Sequence, residues 1–256
     1  MIHPRALVDP KARLAEDVTI GPFAVIGANV EIGAGTEIGA HVVVEGPTVI
    51  GRNNRIFPYA SVGLAPQDKK FAGEPTRLVI GDGNMIRECC TLNRGTAQDR
   101  GETAIGSDNW IMAYVHIAHD CVIANHAILA NNVTMGGHVH IGDWAILGGF
   151  SKIHQFCRLG AHCFTQMDCG IGKDVPPYVM AAGMPARPRG INSEGLGRRG
   201  FTRGQIQAIK DAYRILYRSG LRLVEARKAL EQRARDEPVL APFVEFFKTS
   251  ERSIIR

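Results

Sequence analysis

A six-residue repeat of apolar side chains restricts the fold of this 256-residue chain more than any other feature. From Val8 to Val62 every sixth residue is Val, Leu or Ile, and the period returns over residues 80–92 and, in a shifted phase, over residues 105–171 with Thr165 as its one polar position. A period of six matches neither the 3.6-residue helix nor a two-residue alternation. A short strand followed by a turn matches it, because β-branched residues suit strands and Gly suits turns. We therefore predict stacked coils that share one aliphatic core.

The repeat resembles the hexapeptide family, whose fold is a left-handed parallel β-helix with three hexads, about 18 residues, in each coil. The handedness is implied by this resemblance and not by the spacing, since parallel crossovers are normally right-handed. Residues 63–79 and 93–104 interrupt the period. Insertions in a solenoid leave as loops on one face, often the binding face.

The last quarter of the chain loses the hexads and shows helix signals. Thr202 can cap a helix that runs to Gly220, and residues 222–235 and 238–252 are two further candidates. The fold class predicted is mainly β, a parallel β-helix followed by a small C-terminal α-helical domain. The predicted domains are residues 1–190 for the β-helix and residues 191–256 for the helices.

The net charge of +5 is concentrated in the helical region. Residues 191–256 hold 14 Lys and Arg against 8 Asp and Glu, whereas residues 1–190 hold 16 against 17. No run of 18 apolar residues and no secretory signal is present, so neither a membrane span nor export is expected. The six cysteines have no metal-ligand or disulfide spacing, and we expect them to be reduced in a cytoplasmic protein. The chain also lacks a P-loop and a dinucleotide-binding glycine motif.

Six of the nine histidines fall within residues 116–154. His138 and His154 follow His119 by 19 and 35 residues, close to one and two coils of 18, which predicts that the three share one corner of the solenoid. Imidazoles at a corner could bind a metal such as zinc, or one could act as a general base. Asp120 follows His119 directly, and their side chains can meet only if the chain bends there.

Seven strings in this order and at these spacings closely resemble the UDP-N-acetylglucosamine O-acyltransferase family, which begins lipid A synthesis in Gram-negative bacteria. They are QDKKFAGEPTR, MAYVHIAHDC, ILANN, GGHVHI, IHQFC, IGKDVPPYV and NSEGLGRRGF. The resemblance covers essentially the whole chain. It implies transfer of an (R)-3-hydroxyacyl chain from acyl carrier protein to the 3-hydroxyl of the sugar nucleotide by a homotrimer, with no metal, no cofactor and no nucleic acid.

The same resemblance implies roles for individual residues. It makes His119 the general base, Asp120 the residue that orients it, and the backbone N–H of Gly137 the donor to the oxyanion. The family positions around the two substrates are matched by Gln67, Lys70, His116, His138, His154, Gln155, Asn192, Glu194, Arg198 and Arg199. The two arginines could hold phosphates, because guanidinium groups bind them with paired hydrogen bonds.

Two positions depart from the family pattern. Asn93 stands where the commoner string has a histidine near the substrates, which leaves a 3-amino sugar nucleotide, and hence an amide product, as an alternative acceptor. Met167 stands where family members differ in the residue that measures the end of the acyl chain, and it predicts a short chain of about ten to twelve carbons.

Other classes of protein remain as alternatives. A histidine-metal hexapeptide enzyme such as a γ-class carbonic anhydrase would not explain the QDKKFAGEPTR loop or the basic C-terminal region. A non-catalytic scaffold predicts that His119 can be replaced freely. The later N-acyltransferase of the same pathway has an additional N-terminal domain, for which hexads that begin at Val8 leave no room.

Overall fold

The computed structural model describes residues 1–256 as a coil of very short β-strands that ends in four helices. In chain order, strands β1 to β14 are Leu7–Val8, Arg13–Leu14, Thr19–Ile20, Val25–Ile26, Val30–Ile32, Glu37–Ile38, Val43–Val44, Thr48–Ile50, Arg55–Ile56, Ser61–Leu64, Arg77–Ile80, Met85–Ile86, Thr91–Asn93 and Glu102–Ile105. Strands β15 to β27 are Trp110–Ile111, His116–Ile117, Val122–Ile123, Ile128–Leu129, Thr134–Met135, His140–Ile141, Ile146–Leu147, Lys152–Ile153, Arg158–Leu159, Phe164–Thr165, Gly170–Ile171, Val179–Ala182 and Arg187–Ile191. Helices α1 to α4 are Ser193–Arg198, Arg203–Arg218, Leu223–Ala234 and Ala241–Thr249, with a 3₁₀ turn at Pro238–Leu240 before α4.

Three sheets of 9, 8 and 10 strands form the sides of the coil, and up to the last turns each sheet takes every third strand. The pairing is parallel, with His116 opposite Thr134 and Thr134 opposite Lys152, a step of one 18-residue coil. Only β26 and β27 pair in antiparallel fashion, at the end of the coil. The predicted stack of three-hexad coils is confirmed.

The repeated aliphatic residues fill the centre of the coil. In a typical strand the first residue faces outward and the second is buried, as in β15, where Trp110 is 46% exposed and Ile111 is fully buried. Stacking the coils joins these buried side chains into one column, because each hexad lies directly on the hexad one coil earlier. Thr165, the polar interruption, is buried and bonds the Ser151 hydroxyl, with 2.8 Å between the two oxygens.

The corners of the coil are turns in which a non-glycine residue has a positive φ. At one corner Asp120, His138 and Phe156 have φ of 59°, 61° and 66°. Their positions are one coil apart, and the His138 N–H donates to the His119 carbonyl at 3.0 Å. A left-handed backbone costs an L-residue roughly 1–2 kcal/mol, and hydrogen bonds between coils offset this. Such corners bring side chains from successive coils into columns.

The two insertions are shorter than predicted. Strands β10 and β11 cover the edges of the first, so that the loop comprises residues 65–76, and β13 and β14 leave residues 94–101 for the second. The edges stay in the sheets because they pair with each other: Leu64 lies opposite Asn93, and Arg77 lies opposite Glu102. Residues at the ends of an insertion therefore stay in a β-strand when they pair with the neighbouring coil, even though the hexad pattern has stopped.

The predicted helices are present, and their ends show what the sequence signals could not give. Thr202 caps α2 through a reciprocal hydrogen-bond pair with Gln205, as its position predicts. The third predicted helix ends at Thr249 rather than at residue 252. The short helix α1 was not predicted, because its six residues include two glycines.

The residues after α4 return to the β-helix. Ile254 and Ile255 are buried, and Ile255 belongs to the core of the coil together with Tyr213 of α2. Strands end at Ile191 and helices begin at Ser193, which supports a division near residue 190. We propose on this basis that the chain has two domains, and that the helical domain packs against the last coils of the β-helix.

Candidate active site

His119 and Asp120 form a hydrogen-bonded pair at a corner of the coil. The distance from His119 Nδ1 to Asp120 Oδ2 is 2.9 Å. Neighbouring residues on a flat strand face opposite sides, and the positive φ of Asp120 is the bend that brings the two side chains together. An ionised carboxylate only accepts hydrogen bonds, so Nδ1 carries the proton and Nε2 keeps its lone pair. That tautomer can accept a proton at Nε2.

Asp120 is held in its ionised form by residues of the second insertion. Its side chain is fully buried, and it accepts hydrogen bonds from the Thr96 N–H at 3.0 Å and the Thr96 hydroxyl at 2.6 Å. Burial alone would raise the pKa of Asp120, but the hydrogen bonds from His119 and Thr96 outweigh it and lower the pKa. The Asp120 N–H donates to the Thr103 hydroxyl at 2.8 Å, which fixes the bend itself.

His138 lies one coil above Asp120 and completes the cluster. Its ring stacks on Phe156 at 4.4 Å between centroids and meets the ring of His119 edge to face at 5.1 Å. His138 Nδ1 lies 2.6 Å from Asp99 Oδ2, and its Nε2 lies 3.9 Å from Asp120 Oδ2. A second carboxylate on a loop thus orients a second imidazole in the same site.

Gly137, in the same coil as His138, lies directly against the ring of His119. A Cβ atom at Gly137 would stand 2.5 Å from His119 Cε1 and 2.7 Å from Nε2, closer than atoms can approach. The absence of a side chain lets the ring rest on the backbone of the next coil. The N–H of Gly137 makes no hydrogen bond within the protein, so it is free to donate to a substrate.

These groups open into a cavity of about 1260 Å³, which we call the His119 cavity. It is lined by Gln67, Asp68, Lys69, Lys70, Thr96, Gln98, Asp99, Arg100, His119, His138, His140, Gln155, Phe156, Arg158, Glu251 and Arg252. The structure therefore brings Gln67, Lys70, His138 and Gln155 together with His119, as the sequence predicts. Both insertions contribute walls, in keeping with loops on a binding face.

Sequence reasoning missed most of the other wall residues, and four of the missed residues make contacts that build the site. Thr96 and Thr103 support Asp120, Asp99 supports His138, and Arg252 reaches the cavity from the C-terminus. Thr96 and Asp99 lie inside the insertion, and that interruption was the only sequence signal that could have singled them out. Their partners are 24 and 39 residues away, beyond the reach of local pattern reading.

His116 lies beside the corner that carries His119 and Asp120, but it does not line the His119 cavity. Its Nδ1 is 2.7 Å from the hydroxyl of Thr91, which stands opposite it in the neighbouring strand. Burial, and then the nearby His119 ring, lower the pKa of His116, which favours its neutral form.

The prediction that His154 shares the corner of His119 and His138 is wrong. The corner turns of three successive coils are residues 119–120, 137–138 and 155–156, so His154 lies one position before the turn. It is exposed beside the cavity, where its Nδ1 lies 3.1 Å from the Gln155 carbonyl oxygen and 3.4 Å from Arg252 Nη1.

Asn93 is buried at the root of the first insertion, where its side-chain amide donates to the Ala65 carbonyl at 2.9 Å and its Oδ1 has no partner. Met167 is 71% exposed and lies at the corner next to Asp168, whose N–H donates to the Gly149 carbonyl. Within one chain neither side chain lines the His119 cavity.

The four predicted residues at the helical end form a separate group. Asn192 caps α1, and Glu194 and Arg198 pair across one turn of that helix. Arg199 is partly buried, with its Nη1 3.2 Å from His162 Nδ1 and its guanidinium 5.3 Å from the centre of the Trp144 ring. Burial lowers the pKa of Arg199. None of the four lines the His119 cavity of its own chain.

His119, Asp120 and His138 are also the only three side chains that could share a metal ion, since their ligand atoms lie within 4.8 Å of one another. Asp120 Oδ2, however, already accepts hydrogen bonds from His119 and Thr96. His119 Nδ1 would have to lose the proton that it donates to Asp120 before it could bind a metal. The donor set fits an oriented base better than a zinc site.

A β-helix of hexads with a histidine–carboxylate pair in a corner cavity defines the hexapeptide-repeat class of transferases. Residues 2–46 and 102–137 match the sequence profile described as bacterial transferase hexapeptide (six repeats). Residues 174–255 match the profile described as the second domain of UDP-N-acetylglucosamine O-acyltransferase.

Relatives along the whole chain narrow this class to one family. The acyl-[acyl-carrier-protein]–UDP-N-acetylglucosamine O-acyltransferases of Halorhodospira halophila and Thiobacillus denitrificans are 57% and 58% identical, each covering 100% of this chain and 99% of their own. The crystal structure of the UDP-N-acetylglucosamine acyltransferase of Francisella novicida is 48% identical with a TM-score of 0.98, covering 100% of this chain and 94% of its own. The chain belongs to the UDP-N-acetylglucosamine O-acyltransferase family, and the predicted fold class, a left-handed parallel β-helix followed by helices, is confirmed.

None of the four helices combines the length and the apolar composition that crossing a lipid bilayer requires.

Proposed function

We propose that the protein transfers an (R)-3-hydroxyacyl chain from acyl carrier protein to the 3-hydroxyl of UDP-N-acetylglucosamine, the first step of lipid A biosynthesis, with His119 as the general base. The observation that carries this proposal is the pair in which the buried carboxylate of Asp120 holds His119 Nδ1 at 2.9 Å and leaves Nε2 at the cavity. Membership of the family supplies the substrates. A histidine-metal enzyme would explain neither the hydrogen bond between His119 and Asp120 nor the membership of this family.

The chemistry follows from the tautomer of His119. Nε2 removes the proton of the sugar hydroxyl as its oxygen attacks the carbonyl carbon of the thioester, and Asp120 stabilises the imidazolium that forms. The unpaired N–H of Gly137 stabilises the negative charge that develops on the carbonyl oxygen by donating a hydrogen bond to it. Collapse of the tetrahedral intermediate breaks the C–S bond, and the imidazolium gives its proton to the departing thiolate, which leaves as the free thiol of the carrier. No nucleophilic Ser or Cys is required, because the thioester is already activated.

An assay with purified protein tests this function. Acyl carrier protein loaded with 3-hydroxyacyl chains of different length is offered with UDP-N-acetylglucosamine or with its 3-amino analogue, and the product is identified by mass spectrometry. We expect an ester on UDP-N-acetylglucosamine. Exclusive formation of an amide on the amino sugar would assign the alternative acceptor, which the substitution at Asn93 leaves open, and no transfer at all would refute the proposal.

The donor and the location belong to the same proposal. An acidic carrier protein would meet the excess of 14 basic over 8 acidic residues in residues 191–256, and such complementarity accelerates association. All six cysteines are free thiols, which supports a cytoplasmic location.

We further propose that the protein is a homotrimer. In one chain Met167 and the residues around Arg199 lie away from the His119 cavity, so a site that uses them requires a second chain. An exposed corner column of the coil holds Tyr59, Tyr114 and Phe150, which are 60%, 60% and 50% exposed, and apolar columns of this kind favour an interface. Flat-sided coils pack readily around a threefold axis.

Light scattering at working concentration should give a mass about three times that of the 27.8 kDa chain. Replacing Phe150 with Asp should lower that mass, because a charge would be buried at the interface. Val224→Asp is the control, since Val224 is 65% exposed on α3, away from the corner column. A monomer mass for the unmodified protein would contradict the trimer.

The residue at position 167 should set the length of the acyl chain. If the acyl chain ends against the exposed Met167 of a neighbouring subunit, donors of about ten to twelve carbons are favoured, and Met167→Gly opens space for longer ones. Each buried CH₂ contributes about 0.8 kcal/mol, so two to four additional carbons shift the preference by roughly tenfold or more. Competition between donors of different length measures the shift. Gln166→Gly controls for backbone flexibility, and an unchanged profile in Met167→Gly would place the length limit elsewhere.

A further inference from the structure

The seven residues after α4 form a strap across the last coil of the β-helix. Asp174 and Ile254 form a parallel β-bridge. The Ile255 N–H donates to the Asp174 carbonyl at 2.9 Å, and the Asp174 N–H donates to the Ser253 carbonyl at 3.1 Å. Ile254 and Ile255 are buried, so the strap is anchored by apolar packing as well as by backbone hydrogen bonds.

A buried carboxylate fixes the beginning of the strap. Asp174 has no exposed surface, and its side chain accepts hydrogen bonds from the Ser250 hydroxyl at 2.6 Å and from the Arg158 N–H at 2.8 Å. A buried carboxylate is costly unless its oxygens are bonded, so the Ser250 contact holds this end of the strap in place. Glu251 and Arg252, which lie between the two anchored points, are thereby placed on the wall of the His119 cavity.

Arg252 has hydrogen-bonding capacity that the protein does not use. Its Nη1 donates to the Gln155 carbonyl at 2.8 Å, and the same nitrogen lies 3.4 Å from His154 Nδ1. Nε and Nη2 of Arg252 make no hydrogen bond, and no carboxylate forms an ion pair with its guanidinium. A half-buried guanidinium with free donors, fixed at its tip by a backbone carbonyl, is arranged to bind an anion in the cavity.

We propose that Arg252 binds a phosphate group of a substrate in the His119 cavity, and that the Asp174–Ser250 hydrogen bond positions it there. The inference rests on the proposed function, in which each substrate carries phosphate: a diphosphate in the sugar nucleotide and a phosphodiester in the carrier's prosthetic arm. The cavity wall supports it with five Lys and Arg against three Asp and Glu.

Steady-state kinetics of Arg252→Met in the intact protein test the first half of the proposal. We expect kcat/KM to fall about tenfold through a higher KM, because an anion loses a charged hydrogen-bond partner, with an unchanged melting temperature. A raised KM for UDP-N-acetylglucosamine and weaker inhibition by UDP would identify the diphosphate, whereas a raised KM for the acylated carrier would identify the phosphodiester. Arg252→Lys keeps the charge and should lose less. Unchanged KM values for both substrates would overturn the assignment.

Arg256→Met is the matched control, since Arg256 lies on the same strap and does not line the cavity. Ser250→Ala tests the positioning role: it should raise the same KM as Arg252→Met, and it should have no further effect on KM when Arg252 is already Met. A variant that only melts earlier, with unchanged KM, would show that Ser250 is structural and would overturn that half. Failure of the proposed function itself would look different, because the unmodified protein would then transfer no acyl chain.

Discussion

His119→Ala should lower kcat by about 10²- to 10⁴-fold, the usual contribution of a general base, and should leave the protein folded. The imidazole lies outside the aliphatic core, where it contacts Gly137 and His138 at a corner, so its removal opens no core cavity. Turnover of the purified variant gives the first quantity, and thermal unfolding gives the second. A variant that turns over at the unmodified rate would refute the assignment of His119.

The matched control is His126→Ala, because His126 also occupies a corner and stacks on Trp144 at 4.2 Å, but at another edge of the coil. It should keep full activity. Asp120→Asn should lose less activity than His119→Ala, since the base remains and only its orientation and the stabilisation of its charged form suffer. A larger loss in Asp120→Asn would mean that the carboxylate itself takes part in proton transfer.

The fold could be predicted because its determinant is local and repeated. Every hexad contains one aliphatic residue that must be buried. Stacking of the coils lets all of these residues, such as Ile111 and Leu129, share one core. The ends of the insertions could not be predicted in this way. Leu64 and Arg77 stay in strands because they pair with residues 25 to 30 positions away, and the hexad pattern carries no information about these partners.

The candidate site was predictable where its residues are neighbours in sequence or lie one coil apart. His119 and Asp120 adjoin, and His138 follows Asp120 by one coil, so the repeat places these three side chains together. His154 shows the limit of counting: a spacing of 35 residues is close to two coils, yet it places His154 just before the two-residue turn that carries His119 and His138 in the earlier coils. Thr96 and Arg252 reach the site through loops whose paths the repeat does not determine.

Gly137→Ala should lower kcat by about 10²-fold without removing any catalytic group. Its new Cβ would lie 2.5 Å from His119 Cε1 and 2.7 Å from Nε2, so the ring must move by about 1 Å, and a displacement of that size can cost about 10²-fold in rate. The ring cannot move freely, because Asp120 holds Nδ1 and His138 packs against it. The φ of Gly137 is one that alanine adopts, so the backbone itself is not strained.

Gly172→Ala is the control for this substitution, since a Cβ there meets nothing within 4 Å and the residue has no positive φ. It should keep full activity, and both variants should unfold at nearly the temperature of the unmodified protein. The loss in Gly137→Ala should also be non-additive with His119→Ala, because once the ring is gone the new methyl group no longer has anything to displace. An active Gly137→Ala would show that His119 works from a position other than the one it occupies against the backbone of the next coil.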